Sequence, residues 1–453
     1  MTTVSAVPIV DDSISMTSNK LSAQTRINTR YFLQMMRAGD RVGVVAYSRE
    51  AWNLYAPQGA LATVDQNKTV TRKASESLGT LKFDGPSTAI GLGLQQGRSL
   101  LDSAPDPKAC VLLSDGEQNY GPNPTDVLPS YRVMTCAMGA SSDEGLLQEI
   151  ATKTGGQYFL ALHGSDMGKV YTQIRGATSS ASVLANDLET IDSDDFRLVS
   201  VMISQTDGAN QLAAVWNDES IAYTRSTPYG KQIAITLVDP NGNVSDIEPD
   251  VVGDGYVIFD PGSLAAGEWN IQFEYAGNGV DVDSLGAALL YPGQSQRSLA
   301  AASPIDVVFR IPRMIKAGEP MTFEVDVVEG GQPVRGALVR AAVSRPTTTI
   351  DEALERYDDQ LGAVALPKGV APGRRGERVL RLSALRQKLL PEIDILAYRR
   401  SLVSLAEHPL GYVGRLTETR RPGTYNVEFT VTGESPVAGL FQRTWLASVV
   451  VNG

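Results

Sequence analysis

Val7-Pro8-Ile9-Val10-Asp11-Asp12-Ser13-Ile14-Ser15 is a short apolar run that ends abruptly in two carboxylates and two hydroxyls. The apolar part has the character of a buried strand, so the polar residues are predicted to follow its carboxyl end. An Asp-x-Ser-x-Ser loop in that position offers only oxygen ligands. Hard divalent cations such as Mg²⁺ prefer such ligands, whereas Zn²⁺ more often recruits His or Cys. The stretch therefore predicts a strand with a hard-cation site at its end.

Two later segments have the same character. Phe83-Asp84-Gly85-Pro86-Ser87-Thr88-Ala89-Ile90-Gly91 is a turn that carries a threonine into the start of a helix. Cys110-Val111-Leu112-Leu113-Ser114-Asp115-Gly116 is a second predicted buried strand, and it ends in an aspartate. Together the three segments supply five candidate metal ligands, which are Asp11, Ser13, Ser15, Thr88 and Asp115.

In their order and separations these segments resemble the metal-ion-dependent adhesion site of von Willebrand factor type A domains. Residues 38–48 are similar to the family's second strand, and residues 133–159 to its fifth strand, the following helix and its sixth strand. The resemblance covers residues 1 to about 176. It implies a doubly wound, Rossmann-like α/β domain in which the five residues bind Mg²⁺, with Mn²⁺ or Ca²⁺ as alternatives. It also implies that an exposed Glu or Asp of a protein ligand completes the metal's coordination.

Two enzyme families compete for the opening residues. The acidic pocket of a response-regulator receiver domain resembles residues 9–13, but that family needs a phosphate-accepting aspartate near residues 51–59, where none stands. A haloacid-dehalogenase-type phosphatase needs a carboxylate at the position of Ser13. His163 and His408 are the only histidines, which leaves little for Ser-His-Asp catalysis or a His-Glu-x-x-His zinc site. No general base for metal-assisted catalysis is visible, so we expect a protein that is not an enzyme.

Length and charge limit the possible partners. At 453 residues the chain suits about three domains, each with its own core. The net charge of −11 is concentrated in residues 176–304, which contain 4 Lys and Arg against 18 Asp and Glu. That segment repels nucleic acid and anionic membranes, so neither is expected as a partner. No apolar run approaches the roughly 20 residues that cross a bilayer, and no membrane span is expected.

Cys110 and Cys136 are the only cysteines, and they fall on two strands that the type A family places side by side. Counting back from the strand ends puts the two residues out of register for a disulfide. Two reduced cysteines in the core are therefore expected.

Beyond residue 176 the pattern changes. Residues 177–195, rich in Ser, Ala, Asp and Thr, are predicted to be a linker, and short alternating strands then predict an acidic Ig-like β-sandwich at 196–303. Residues 304–453 repeat that module. For example, Gly267-Glu268-Trp269-Asn270-Ile271-Gln272-Phe273 is echoed by Gly423-Thr424-Tyr425-Asn426-Val427-Glu428-Phe429. A second β-sandwich is therefore predicted.

The second module is interrupted by an insertion at about 347–412. Val379, Leu382, Leu385 and Leu389 follow helical spacing, as do Ile395, Leu402 and Leu405. The insertion is also rich in arginine, with Arg374, Arg375, Arg378, Arg381, Arg386, Arg399 and Arg400. Two hypotheses stay open: a solvated helical hairpin, or a basic element that docks on another domain of the chain.

Two functions also stay open. The first is a non-enzymatic, metal-dependent adhesion or recognition protein, which the tandem sandwiches favour as spacers. The second is an intracellular assembly subunit, like the type A subunits that partner AAA-type ATPases or metal chelatases. No basic leader-like region precedes the first strand. The location is therefore the cell surface or exterior if a leader has been removed, and the cytoplasm otherwise.

Overall fold

The computed structural model describes residues 3–139, 142–179, 181–193, 195–277, 281–290, 305–348, 350–364, 378, 381–382, 385, 398–409 and 411–453. An α/β domain comes first, and a large β-rich region follows it, with one small group of helices near residue 350.

Strands and helices alternate in the first domain. Its strands are β1 Ser5–Asp11, β2 Arg41–Val42, β3 Val44–Tyr47, β4 Ala51–Tyr55, β5 Ala62–Thr63, β6 Lys108–Ser114, β7 Val133–Met138 and β8 Tyr158–Ala161. Its α-helices are α1 Ile14–Ser18, α2 Ser22–Gln34, α3 Thr69–Ser77, α4 Ile90–Leu101, α5 Glu144–Lys153 and α6 Met167–Ser179.

The sheet of this domain has the order β4-β3-β1-β6-β7-β8, and β1 lies at its centre between β3 and β6. β1 runs parallel to both neighbours, and only β4 is antiparallel on this path. The chain moves from β1 to one side of the sheet and later returns to the other side at β6. In doubly wound sheets ligands bind at that switch point, outside the carboxyl ends of the strands. The predicted doubly wound fold is confirmed.

Alternate residues of β1 enter two different cores. Ala6 and Val10 pack with the helices α2 and α6 on one face of the sheet. Val7 and Ile9 pack with α4 and α5 on the other face. All four side chains are fully buried, which fixes the register of the strand and hence the position of Asp11 at its end.

The two cysteines are free and buried, as expected. Cys110 pairs with Val133 across β6 and β7, whereas Cys136 pairs with Leu113, so the two thiols are three positions out of register. Burial raises the pKa of each thiol to about 12, which makes both unreactive.

The prediction of a linker at 177–195 is wrong. α6 continues to Ser179, and residues 182–191 form a strand that pairs along its length with a later strand of the β-rich region. The small polar residues of this stretch conceal an apolar set. Val183 packs against the α/β domain, while Leu184 and Ile191 enter the core of the next unit. A strand buried on both faces has no simple alternation to reveal it.

The strands of the second unit form two sheets that enclose one core. They are β9 Ser182–Ile191, β10 Asp195–Ile203, β11 Ala209–Trp216, β12 Ala222–Thr224, β13 Gln232–Val238, β14 Val251–Gly253, β15 Tyr256–Ser263, β16 Gly267–Ala276 and β17 Val282–Leu290. One sheet has the order β10-β16-β13-β12, and the other begins β14-β15-β11-β17-β9. Ile235 and Phe273 from the first sheet meet Leu212 and Phe259 from the second, in a β-sandwich arrangement.

The third unit continues the second sheet. Its strands are β18 Ile305–Arg310, β19 Met314–Lys316, β20 Met321–Glu329, β21 Gln332–Pro333, β22 Leu338–Pro346, β23 Tyr398–His408, β24 Gly411–Leu416, β25 Gly423–Ser435 and β26 Gly439–Asn452. From β9 the order runs β26-β25-β22-β23-β24-β20-β18. Phe323 of β20 contacts Phe429 of β25 edge-on, at 5.5 Å between ring centroids. The sheet therefore curls over its own core.

The similar sequences at residues 267–273 and 423–429 both begin a strand. Gly267 opens β16 and Gly423 opens β25, with φ values of +132° and +127°. A Cβ on Gly267 would lie 2.7 Å from Pro240, and one on Gly423 would lie 3.1 Å from Pro346. Both positions therefore combine a backbone conformation that favours glycine with a close neighbour.

The prediction of a helical insertion at 347–412 is wrong for its last part. Helices α7 Ile350–Arg356 and α8 Asp358–Leu361 begin it, but residues 398–408 belong to β23 and residues 411–412 to β24. Leu402 and Leu405 are spaced as on a helix, yet on β23 the first is exposed and the second is buried in the core. Residues 365–377 and most of 379–397, including Val379, Leu389 and Ile395, lie outside the described residues.

The described part of the insertion packs on itself. Leu354, Leu361, Leu382 and Leu385 share a small apolar cluster. Arg378 donates a 2.6 Å hydrogen bond to Asp358 of α8. These contacts favour the helical-hairpin hypothesis over docking on another domain.

Candidate metal centre

The five predicted ligands meet at the carboxyl ends of β1 and β6. Asp11 ends β1, Ser13 is the N-cap of α1, and Ser15 lies in the first turn of that helix. Asp115 directly follows β6, and Thr88 lies two residues before α4. None of the five side chains is more than 8% exposed. Neighbouring parallel strands place their carboxyl ends at one edge, so residues that are about 100 positions apart in sequence converge there.

The hydroxyls connect the two loops. Ser13 Oγ lies 2.8 Å from Ser15 Oγ. Ser15 Oγ donates a 2.6 Å hydrogen bond to Asp115 Oδ1, and Asn19 Nδ2 donates a 2.8 Å bond to Asp115 Oδ2. Both oxygens of Asp115 are therefore oriented by residues of the first loop and helix.

Asp11 is oriented by a second set of donors. The backbone N–H of Ser13 donates to Asp11 Oδ1 at 3.0 Å. Ser114 Oγ and Tyr47 OH donate to Asp11 Oδ2 at 2.9 and 3.1 Å. Tyr47 OH also lies 2.9 Å from the carbonyl oxygen of Leu113, so it connects the ends of β3, β1 and β6. These donors fix the carboxylate's position before any ligand arrives.

The two carboxylates have raised pKa values. Burial raises the pKa of Asp11 to about 6, although hydrogen bonds from Ser13, Ser114 and Tyr47 lower it in part. Burial also raises the pKa of Asp115 to about 8, and the negative charge of Asp11 adds to the increase. Two buried acids this close resist double ionisation unless a positive charge joins them.

Gly116 leaves a space between the hydroxyls of Thr88 and Ser15. A Cβ at this position would lie 3.2 Å from Thr88 Oγ1 and 3.6 Å from Ser15 Oγ. Thr88 is held beside Asn119, which accepts its N–H at 2.9 Å and donates to its carbonyl at 3.1 Å. The Thr88 and Ser15 hydroxyls therefore both lie beside the position of Gly116.

Asp12 positions the turn that carries Thr88. Its carboxylate accepts the N–H of Phe83 at 2.6 Å. Its backbone N–H donates to the carbonyl oxygen of Tyr47 at 2.8 Å, and its carbonyl oxygen accepts the N–H of Gly85 at 3.0 Å. Neither Asp12, Tyr47, Asn19 nor Asn119 was among the predicted site residues. Only Asp12 carries a signal in sequence, because it stands within the acidic stretch itself.

The donor set suits a hard cation. The site offers two carboxylates and three hydroxyls, all of them oxygens, at the carboxyl ends of β1 and β6. Within the part of the chain that the structure describes, no three His, Cys, Asp or Glu side chains are grouped to hold a metal. The site thus has few charged ligands and relies on neutral hydroxyls.

The family comparison agrees with this geometry. Residues 7–173 match the model of the von Willebrand factor type A domain. Residues 7–173 form a von Willebrand factor type A domain. Domains of this type commonly bind a divalent metal at the adhesion site. No curated protein sequence matches the chain.

Several solved structures are similar to the chain at low identity. A von Willebrand factor type A protein from Catenulispora acidiphila is 16% identical with a TM-score of 0.37, over 73% of this chain and 63% of that protein. Proximal thread matrix protein 1 from the mussel byssus, with a zinc-occupied adhesion motif, is 16% identical with a TM-score of 0.32, over 41% and 49%. The type A domain of the type V pili tip protein from Porphyromonas gingivalis is 14% identical with a TM-score of 0.31, over 39% and 94%. The chain spans less than two thirds of the first two proteins.

No helix among the described residues is long and apolar enough to cross a membrane. The two histidines lie just before α6, at His163, and at the end of β23, at His408.

Proposed function

We propose that this protein binds another protein through a divalent cation held at the type A site, without catalysis. Asp11, Ser13, Ser15, Thr88 and Asp115 are the residues that would hold the ion, with Mg²⁺ preferred over Mn²⁺ or Ca²⁺. The observation that carries the proposal is the pair of fully buried carboxylates joined through serine hydroxyls beside the space at Gly116.

Electrostatics supports a cation at this position. Asp11 and Asp115 are both fully buried, and each charge disfavours the other. A bound cation supplies the positive charge that makes double ionisation favourable. The hydroxyls of Ser13, Ser15 and Thr88 add oxygen ligands without adding negative charge. The protein's own residues therefore leave positive charge to attract an outside carboxylate.

The partner we propose is a protein that offers an exposed Glu or Asp. A hard anionic oxygen is the ligand that such a cation prefers in its remaining coordination positions. The similar structures include the tip protein of type V pili. They do not identify this chain's partner, and the second hypothesis, an intracellular assembly subunit, predicts the same site with a different protein on it.

Calorimetry tests the metal. Protein treated with chelator and then dialysed should bind one Mg²⁺ or Mn²⁺, and Asp11→Ala should abolish the binding. Asp102→Ala is a matched control, because this carboxylate lies just after α4 and is exposed, in a surface ion pair with Arg98. Unchanged binding in Asp11→Ala would show that the metal is held elsewhere.

A capture experiment tests the partner. The immobilised protein is exposed to the same lysate with Mg²⁺ or with chelator, and Asp115→Ala is run beside Asp102→Ala. Loss of Asp115 should weaken a genuine metal-mediated contact by about a few kcal/mol, the scale of removing one partner of a desolvated charge pair. Capture that survives both chelator and Asp115→Ala would reject the proposal. Specific capture of an ATPase would favour the assembly-subunit hypothesis.

A further inference from the structure

An arginine and a tyrosine form an exposed pair on the rim of the type A site. The guanidinium carbon of Arg49 lies over the ring of Tyr120, 5.1 Å from its centroid. Tyr120 is 43% exposed, and Arg49 is exposed as well. A half-exposed aromatic ring under a cation is a frequent element of binding surfaces, because it has an apolar body and costs little side-chain entropy to order.

Both residues are attached directly to the segment that carries Thr88. Arg49 follows Ser48, whose carbonyl oxygen accepts the N–H of Ala89 at 2.8 Å. Tyr120 follows Asn119, whose side-chain oxygen accepts the N–H of Thr88 and whose own N–H donates to the carbonyl oxygen of Thr88. Arg49 and Tyr120 are therefore each next in sequence to a residue that is hydrogen-bonded to Thr88 or to its neighbour Ala89.

The loop that carries Tyr120 is hydrogen-bonded to the first turn of α4. Gln118 accepts the N–H of Gly91 at 3.3 Å and donates to the carbonyl oxygen of Pro122 at 3.1 Å. Gly91 lies directly against Pro122, since a Cβ there would be 2.2 Å from the proline's carbonyl oxygen. A ligand would therefore meet the ring in a position that is already ordered, which lowers the entropy cost of binding.

The charge of Arg49 is available to a ligand. Its stacking on Tyr120 is the contact that the structure gives it, and no ion pair or hydrogen bond of its guanidinium occurs among the described residues. Arg98 of the same domain, by contrast, is paired with Asp102 at 3.1 Å. Stacking covers one face of the guanidinium and leaves the N–H groups at its edge free to bind a carboxylate in a bidentate manner.

We propose that Arg49, supported by Tyr120, binds a second carboxylate of the protein ligand, so that the preferred partner segment carries two acidic side chains. One carboxylate belongs to the cation site and the other to the guanidinium. This inference rests on the proposed function, because the first carboxylate binds only if the site holds a metal.

Fluorescently labelled peptides test the inference. One peptide has a single Glu in a Gly-Ser background, a second set adds another Glu at increasing spacings, and a third set has Gln in place of the added Glu. Binding is measured by anisotropy with Mg²⁺ and with chelator. At the best spacing the two-acid peptide should bind the native protein about three- to tenfold more tightly than its Gln counterpart.

Variants assign that preference to the rim pair. Arg49→Ala should remove the difference between the two peptides, and Arg49→Lys should keep only part of it, because an ammonium cannot stack or bind through a planar fork. Tyr120→Phe should retain the preference, whereas Tyr120→Ala should reduce it. Arg98→Ala is the control for loss of an exposed arginine in the same domain, and it should leave the preference unchanged.

Each outcome decides something. Equal affinity for the two peptides, or a preference that persists in Arg49→Ala, would overturn the rim inference while leaving the metal-dependent function standing. Absence of any chelator-sensitive binding by every peptide would overturn the proposed function and the inference together. Loss of single-acid binding in Arg49→Ala would show that the arginine acts on the first carboxylate. That result would also contradict the proposal that Arg49 binds a second, separate carboxylate.

Discussion

Replacement of Asp115 by asparagine should remove most of the loss of stability that the metal-free protein suffers as the pH rises. The amide has nearly the shape of the carboxyl group, and it can accept from Asn19 while donating to the Ser15 hydroxyl oxygen, which preserves both contacts. The substitution removes one of the two buried titrating groups. The change in stability therefore isolates the cost of ionising Asp115 without metal.

The sign follows from the raised pKa. Asp115 titrates near pH 8 when folded and near pH 4 when unfolded. Between those values the folded metal-free protein binds more protons than the unfolded chain, so its stability falls as the pH rises and the loss is complete above about pH 8. Four pH units would correspond to roughly 5 kcal/mol. Structural relaxation and water entry reduce such penalties, so we expect about 2–4 kcal/mol.

Thermal unfolding in chelator from pH 5 to pH 8 measures the effect. At pH 8 the Asp115→Asn protein should melt about 5–12 °C above the native protein, and at pH 5 the two should nearly coincide. Saturating Mg²⁺ should raise the melting temperature of the native protein by mass action, and should raise that of the variant far less. Asp102→Asn, at an exposed carboxylate of the same domain, serves as the control and should follow the native curve.

Parallel pH curves for the native protein and Asp115→Asn would show that Asp115 ionises in the folded protein without penalty. The burial argument would then be wrong. An equal response of both proteins to Mg²⁺ would refute the assignment of Asp115 as a ligand even if the pH curves differ.

Two further predictions concern stability. Arg175→Ala should lower the free energy of unfolding by about 3–5 kcal/mol in chemical denaturation, because it leaves the almost completely buried carboxylate of Asp40, 2.7 Å away, without its cation. Arg98→Ala, which removes an exposed ion pair, should lower it by less than about 1 kcal/mol. Similar losses in the two variants would contradict this prediction. Replacement of residues 347–397 by a tight turn should shift the melting temperature by only a few degrees, because Pro346 ends β22 beside the first residue of β23; a protein without a cooperative melting transition would show that the helices support the sandwich.

The type A site was predictable because its residues sit in short local patterns. Asp11, Ser13 and Ser15 lie within five positions, and each strand preceding an aspartate is an unbroken apolar run. Tyr47 could not be found in this way, since its hydroxyl reaches Asp11 only because β3 lies next to β1. Its sequence context is that of any strand end, and the contact exists only in the folded sheet.

The errors in the β-rich region have a different cause. Leu402 and Leu405 differ by three positions, a spacing that a helix places on one face and a strand places on opposite faces. The pairing of β23 with β22 over eight residues decides between them, and that pairing depends on residues far away in sequence. The strand β9 was missed for a related reason, because its burial on both sides requires the α/β domain as well as the sandwich.

α6 connects the three units of the chain. A Cβ on Gly168 would lie 2.7 Å from Leu285 of β17, so the helix and the second unit are in close contact at a residue without a side chain. Lys169 Nζ lies 2.6 Å from Glu428 of β25, and Gln173 accepts the N–H of Leu446 in β26 at 2.9 Å. Any displacement of α6 must therefore move strands of both β units with it.

This arrangement has a consequence for how the site is presented. Contacts that join the β units to the type A domain lie on α2, α5, α6 and β8, for example from Arg30 to Asp254 and from Gln148 to the carbonyl oxygen of Arg313. The rim residues Arg49 and Tyr120 are on other loops, and both remain exposed. A close-packed interface on one side and an accessible rim on the other allow the β units to hold the site rigidly without covering it. Force applied through the β units would therefore reach the type A domain through all of these elements, and one of them, α6, carries Arg175, the buried partner of Asp40.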